Sequence, residues 1–202
     1  MKVSQMVLLA MLTAGCASEQ AYDPLQDYEE LDSSTLVDAP TARPGSFAPG
    51  DRDLVNRGEY LVELLGCGSC HTNGAFEGNP DMSRPLSGSR TGIAYTSPLG
   101  VRFPGIVYPG NITPDVETGI GSWSDEQIAN AIRAGIGRHG KRRIATMPWQ
   151  SYSRLSDDDV AAIVSYLRTV EPVRHRVPTE VAPGRRAKEG FVYFGVYRSR
   201  EQ

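Results

Sequence analysis

One five-residue segment governs what this chain can fold into: Cys67-Gly68-Ser69-Cys70-His71. Two thiols with two residues between them lie about one helical turn apart, and the histidine follows the second thiol directly. That spacing lets both sulfurs reach the two vinyl groups of a single haem while the imidazole comes under its iron. The pattern is that of covalent c-type haem attachment through Cys67 and Cys70, with His71 as proximal ligand. Other thiol chemistries want other surroundings. A redox dithiol belongs in a βαβ unit, which the neighbouring sequence does not suggest. A zinc site needs one or two more ligands at matching spacing, and no second C-x-x-C occurs. A fold built on this segment must therefore enclose one flat, iron-bearing group, haem c.

The chain holds three cysteines in all, so they cannot all pair and a disulfide scaffold is excluded. The third, Cys16, closes a different kind of segment. Lys2 gives a short positive start and residues 6–14 form an apolar run. Nine residues fall short of the ~20 needed to span a bilayer but suit the central region of a signal peptide. The run ends Leu12-Thr13-Ala14-Gly15-Cys16, which resembles the lipobox of bacterial lipoproteins, with Thr13 a mild departure. The resemblance implies removal of residues 1–15 and lipidation of Cys16. It implies a place in the cell envelope, anchored on the periplasmic side, with Ala17 favouring the outer membrane if the cell has two membranes. Residues 17–50 then carry seven acids against one base and four prolines, with no sustained apolar period. Such a stretch cannot bury enough surface to offset its ordering entropy, so residues 16–50 are expected to be an acidic tether of about 30 Å mean reach.

Beyond the tether, helical patterns return. Over residues 51–65, Leu54, Leu61 and Leu65 recur at helical spacing with Gly58 on the same face, and Gly66 ends the run. Ser124-Asp125-Glu126-Gln127 is a capping box, followed by Ile128, Ala131 and Ile132 up to Gly135. Ser156 caps a final helix whose first turn holds Asp157, Asp158 and Asp159, where the helix dipole favours acids. Val160, Ile163, Val164 and Leu167 line one face, and Pro172 lies beyond its end. Residues 89–109 are long and rich in Gly and Pro, enough for a hairpin or a flap. Residues 168–202 carry a net charge of +4 and an apolar run, residues 191–197, suited to a strand or a clamp on the domain.

The second axial ligand sets the function class: Met or His gives a carrier, an open position gives reactivity. After the leader, the candidates are Met82, Met147, His139 and His175. Met82 follows His71 by only eleven residues, His139 sits in a basic turn and His175 in a charged tail. Met147 lies in Ala145-Thr146-Met147-Pro148-Trp149, a loop stiffened by proline before the last helix.

At this point residues 51–173 resemble a class I cytochrome c domain of the type associated with bacterial periplasmic dehydrogenases. The resemblance rests on Cys67 through His71, Asn111-Ile112-Thr113-Pro114-Asp115, Glu117-Thr118-Gly119-Ile120-Gly121-Ser122-Trp123, Met147-Pro148-Trp149 and the run from Leu155 to Leu167. It implies an all-α class I fold over residues 51–175, with residues 176–202 as an extension, and a close crossing of first and last helices at Gly58 and Tyr166. It implies His71 and Met147 as iron ligands. A carbonyl at Pro85 would accept the hydrogen bond of the proximal histidine, and Gly88 and Arg90 would form the haem-edge turn. Asn111, Trp123 and Trp149 would belong to the haem surroundings.

The implied function is single-electron transfer by a membrane-tethered, one-haem carrier. Its partners would be redox proteins: a dehydrogenase, an oxidase or another cytochrome. A cytochrome subunit of a multi-chain dehydrogenase or oxidase complex is the alternative. A peroxidase would need an open iron position, and a haem sensor an output domain. A net charge of −3 argues against nucleic acid as a partner.

Overall fold

The computed structural model describes residues 54–95, 103–141, 143 and 146–194. Five helices and one small sheet follow in order. They are α1 (Leu54–Leu64), α2 (Cys67–His71), β1 (Gly92–Tyr95), β2 (Gly105–Val107), α3 (Asp125–Ala134), α4 (Trp149–Tyr152), α5 (Asp157–Thr169) and β3 (Phe191–Phe194), with a 3-10 turn at Ala75–Glu77. The leader, Cys16 and the tether lie outside the described residues.

The main core is built by α1, α3 and α5. Leu61, Val62, Ile128, Ile132, Val160, Ala162, Ile163, Val164 and Leu167 are buried together with Leu86 and Ile120. The two long capped helices start where their sequences place them. Ser124 accepts from the Gln127 amide while the Gln127 side chain accepts from the Ser124 amide, so two orphan donors are satisfied reciprocally. Ser156 accepts from the Asp159 amide at the start of α5. Helix α1 crosses α5 with backbone nearly touching backbone. A Cβ on Gly58 would lie 2.0 Å from the Ala162 carbonyl oxygen and 2.7 Å from Tyr166 Cβ. The buried face of α1 is Gly58, Leu61 and Val62, whereas Leu54, in its first turn, is 48% exposed.

An all-α architecture does not account for the whole chain. Strand β1 pairs antiparallel with β2 and parallel with β3, giving the order β2-β1-β3. This mixed sheet has its own core of Ala94, Ile106 and Tyr108, against which Val181, Ala187, Phe191 and Tyr193 pack. The physical reason lies in the two segments outside the helical pattern. The stretch over residues 89–109 supplies short runs of aromatic and β-branched residues, which suit a pleated surface, and the tail supplies the third strand. The expected hairpin and the expected C-terminal strand are thus two halves of one sheet.

Candidate haem site

The attachment segment is a single helical turn, α2, entered through Gly66 at φ 67°. Only a residue without Cβ takes that left-handed conformation at no cost, so Gly66 lets the chain end α1 and start a new helix at once. Cys67 and Cys70 are half-buried free thiols on that turn. Burial pushes the Cys67 thiol up to about 11 and raises Cys70 as well. Reactive redox thiols have depressed values, so this pair lacks the electrostatics of a dithiol catalyst. Among the described residues no group of three or more His, Cys, Asp or Glu side chains could hold a metal ion by themselves.

His71 is oriented by the backbone. Its Nδ1 lies 2.7 Å from the Gly110 carbonyl oxygen. A carbonyl only accepts, so Nδ1 carries the hydrogen and Nε2 presents its lone pair. Burial lowers the pKa of the imidazole and keeps it neutral, the form that binds a metal. The Gly110 bond corrects the expectation for Pro85. The segment around Pro85 turns instead of presenting that carbonyl: Ser87 Oγ donates to the Arg84 carbonyl at 2.8 Å and Leu86 adopts φ 62°. This segment grips the backbone of α2. Gly88 donates to the His71 carbonyl at 2.7 Å, and the Leu86 amide donates to Thr72 Oγ1 at 3.2 Å.

Met147 is half-buried and packs on the main core, as do Cys67 and Trp123. Next to it, Thr146 Oγ1 is buried without a hydrogen-bond partner among the described residues. Tyr152, five residues beyond Met147, donates to the Leu65 carbonyl at 3.1 Å and feels both thiols, so α4 is tied to the entry of α2. The Trp149 ring lies against Gly135, where a Cβ would come within 2.6 Å of Cδ1. The other candidate ligands are placed elsewhere. Met82 is 69% exposed. His139 is exposed, and His175 Nδ1 is 2.9 Å from the Ser87 carbonyl oxygen, to which it donates.

Two residues expected in the haem surroundings have other partners. Arg90 is exposed and its guanidinium pairs with Glu189 at 2.7 Å, because the C-terminal extension runs alongside it. The Asn111 amide donates to Val173 and Thr118, and its oxygen accepts from both Thr113 donors. Asn111 therefore knots a loop to the tail. Gly110 and Tyr152 escaped the sequence reading. The Pro109-Gly110 pair immediately before the Asn111 motif was the one available signal for the first; nothing distinguished Tyr152.

The residues present suit a covalently held haem. Two neutral thiols flank one turn, an oriented imidazole presents Nε2, a thioether stands on the same core, and an unsatisfied hydroxyl adjoins it. Comparison with known proteins agrees. The cytochrome c family pattern matches residues 55–171. The chain is 38% identical over 124 residues to the cytochrome c subunit of a quinone-type alcohol dehydrogenase from Gluconobacter oxydans (strain 621H), covering 61% of this chain and 23% of that protein. It is 36% identical over 137 residues to the fructose dehydrogenase cytochrome subunit of Gluconobacter japonicus, covering 67% and 25%. It is 36% identical over 121 residues to the gluconate 2-dehydrogenase cytochrome c subunit of Pantoea cypripedii, covering 59% and 24%. The chain thus matches about a quarter of each relative's length. With more than half of its residues inside the family match, this chain belongs to the cytochrome c family.

Proposed function

We propose that this protein is a one-haem electron carrier of the cell envelope, held to a membrane by a lipid on Cys16 and passing single electrons between redox proteins. The observation that carries this reading is the single attachment turn Cys67–His71, with His71 fixed on Gly110 and Met147 standing on the same core as Cys67. Haem, when bound, supplies one-electron Fe(III)/Fe(II) chemistry. Cys67 and Cys70 would hold it covalently through both valences. His71 and Met147 would both hold its iron, so the chain would pass electrons while keeping the metal closed to substrate. Thioether ligation by Met147 favours the reduced state and so a raised potential. Thr146 would meet a polar haem substituent, and Trp123 and Trp149 would exclude water.

The loop at residues 138–141 is exposed, and Arg138 and Lys141 form no ion pair with any described residue. Unneutralised charge of this kind speeds encounters with acidic partners more than it tightens them. The relatives' names favour a second reading, in which the chain is the cytochrome subunit of a dehydrogenase assembly.

The test is covalent haem retention. Full-length protein matured in an envelope that attaches haem should keep one haem per chain through denaturing electrophoresis and titrate as a one-electron couple. Cys67→Ala with Cys70→Ala should lose the covalent haem. Retention by the double variant, or a second haem per chain, would overturn the reading.

A further inference from the structure

The family match ends at residue 171, yet the described chain runs on to 194 and returns to the proximal side of the site. Its first residues beyond the match bond to the two segments that hydrogen-bond His71, one at its backbone carbonyl and one at its ring. On one side, His175 Nδ1 donates to the Ser87 carbonyl at 2.9 Å, next to Gly88, whose amide holds the His71 carbonyl. On the other, Val173 accepts from Asn111 Nδ2 at 2.7 Å and donates to Thr113 Oγ1 at 3.1 Å. Asn111 directly follows Gly110, the acceptor of the His71 ring. Val177 packs on the same loop, its Cγ1 2.5 Å from where a Cβ on Gly88 would stand.

From these contacts we propose that residues 173–177 are a brace that sets the His71–Gly110 hydrogen bond, with His175 and Thr113 as positioning residues. The proposal rests on the reading of His71 as proximal haem ligand. The physical link is short. A hydrogen bond at the far nitrogen of a ligating histidine raises the basicity of the ring and stabilises the higher valence of the metal. Gly110 has no side chain to fix its carbonyl, whose carbon packs instead against the Gly88 backbone, where a Cβ would lie 2.8 Å from it. Its neighbours do that, and the tail holds the neighbours. The ordinary purpose of such an extension, covering apolar surface, is served further along by Val181, Ala187 and Phe191 against the sheet. Residues 173–177 make polar bonds to the proximal loops instead.

The experiment uses the full-length, haem-loaded protein and the variants His175→Ala, Thr113→Val and their combination. Two quantities are read: the reduction potential, and the rate at which the His71 Nδ1 proton exchanges with solvent by NMR. Weakening the brace should leave the ring less basic and shift the Fe(III)/Fe(II) equilibrium toward Fe(II). In the double variant the expected shift is about tenfold, about 59 mV for one electron, with faster proton exchange. His175→Gln, which keeps a donor, should recover much of the effect of His175→Ala. Variants that retain both axial ligands with potential and exchange rate unchanged would overturn the brace. A wild-type spectrum without histidine ligation would instead overturn the functional reading beneath it.

Discussion

His71 reaches across thirty-nine positions of sequence to donate its Nδ1 hydrogen to the Gly110 carbonyl at 2.7 Å. This one bond selects the tautomer of the imidazole and joins the attachment turn to the loop that precedes the Asn111 motif.

Two glycines at that bond should respond differently to alanine. Gly88 sits at φ 86°, and a Cβ there would fall 2.7 Å from the Asn111 amide nitrogen. Gly110 has nothing within 4 Å of the corresponding point. Gly88→Ala should cost about 1–3 kcal/mol, through backbone strain and overpacking. Gly110→Ala should stay within about 0.5 kcal/mol of wild type. Urea unfolding of the two variants checks the contrast.

The α1–α5 crossing gives a second expectation. Gly58→Ala gains about 1 kcal/mol of helix propensity in isolation. In the fold its Cβ would stand 2.0 Å from the Ala162 carbonyl oxygen, so the helices must separate. A net loss of about 1–3 kcal/mol is expected, read as a lowered thermal midpoint.

The helices were legible because their signals are local. Ser124 with Gln127 and Ser156 with its three aspartates mark starts that need no tertiary information, and Gly135 ends α3 at φ 64°. The turn Cys67–His71 was legible as a short helix because its residues are local, and its proposed role rests on the spacing that covalent attachment would need. The sheet was hidden for a physical reason. Each strand is three or four residues long, and β3 pairs with β1 from ninety-nine positions further along the sequence (Gly92 with Phe191), so pairing is decided by tertiary contacts. The partner of Arg90 was hidden likewise, since Glu189 lies on the extension beyond the family resemblance, and Asn111 meets Val173 only through the tertiary fold. The Pro85 expectation failed because a carbonyl's direction depends on the turn conformation around Leu86, which residue types alone do not reveal.

Acid should weaken the helix frame at an identifiable place. Hydrogen bonding from Ser156, and then Arg57, holds the Asp159 carboxyl below its ordinary 3.8. A depressed folded pKa contributes stability that is present above the unfolded value and is lost as pH falls through the folded one. Stability should therefore drop as pH falls below about 3.8, and the drop should shrink in Arg57→Gln. Denaturant midpoints for the two proteins across pH 2–5 measure it.

The proposed anchor makes a separate prediction. Full-length protein should fractionate with membranes and move to the soluble fraction in Cys16→Ser. A Cys16→Ser variant that remains membrane-bound would count against lipidation.

The most direct measurement of the central claim is the optical spectrum of the ferric protein in the far red. A methionine sulfur on ferric haem produces a weak charge-transfer band there. The wild type should show that band and Met147→Leu should lose it while keeping its covalent haem. A wild type without the band, or a Met147→Leu variant that retains it, would contradict the assignment of His71 and Met147 as the two axial ligands.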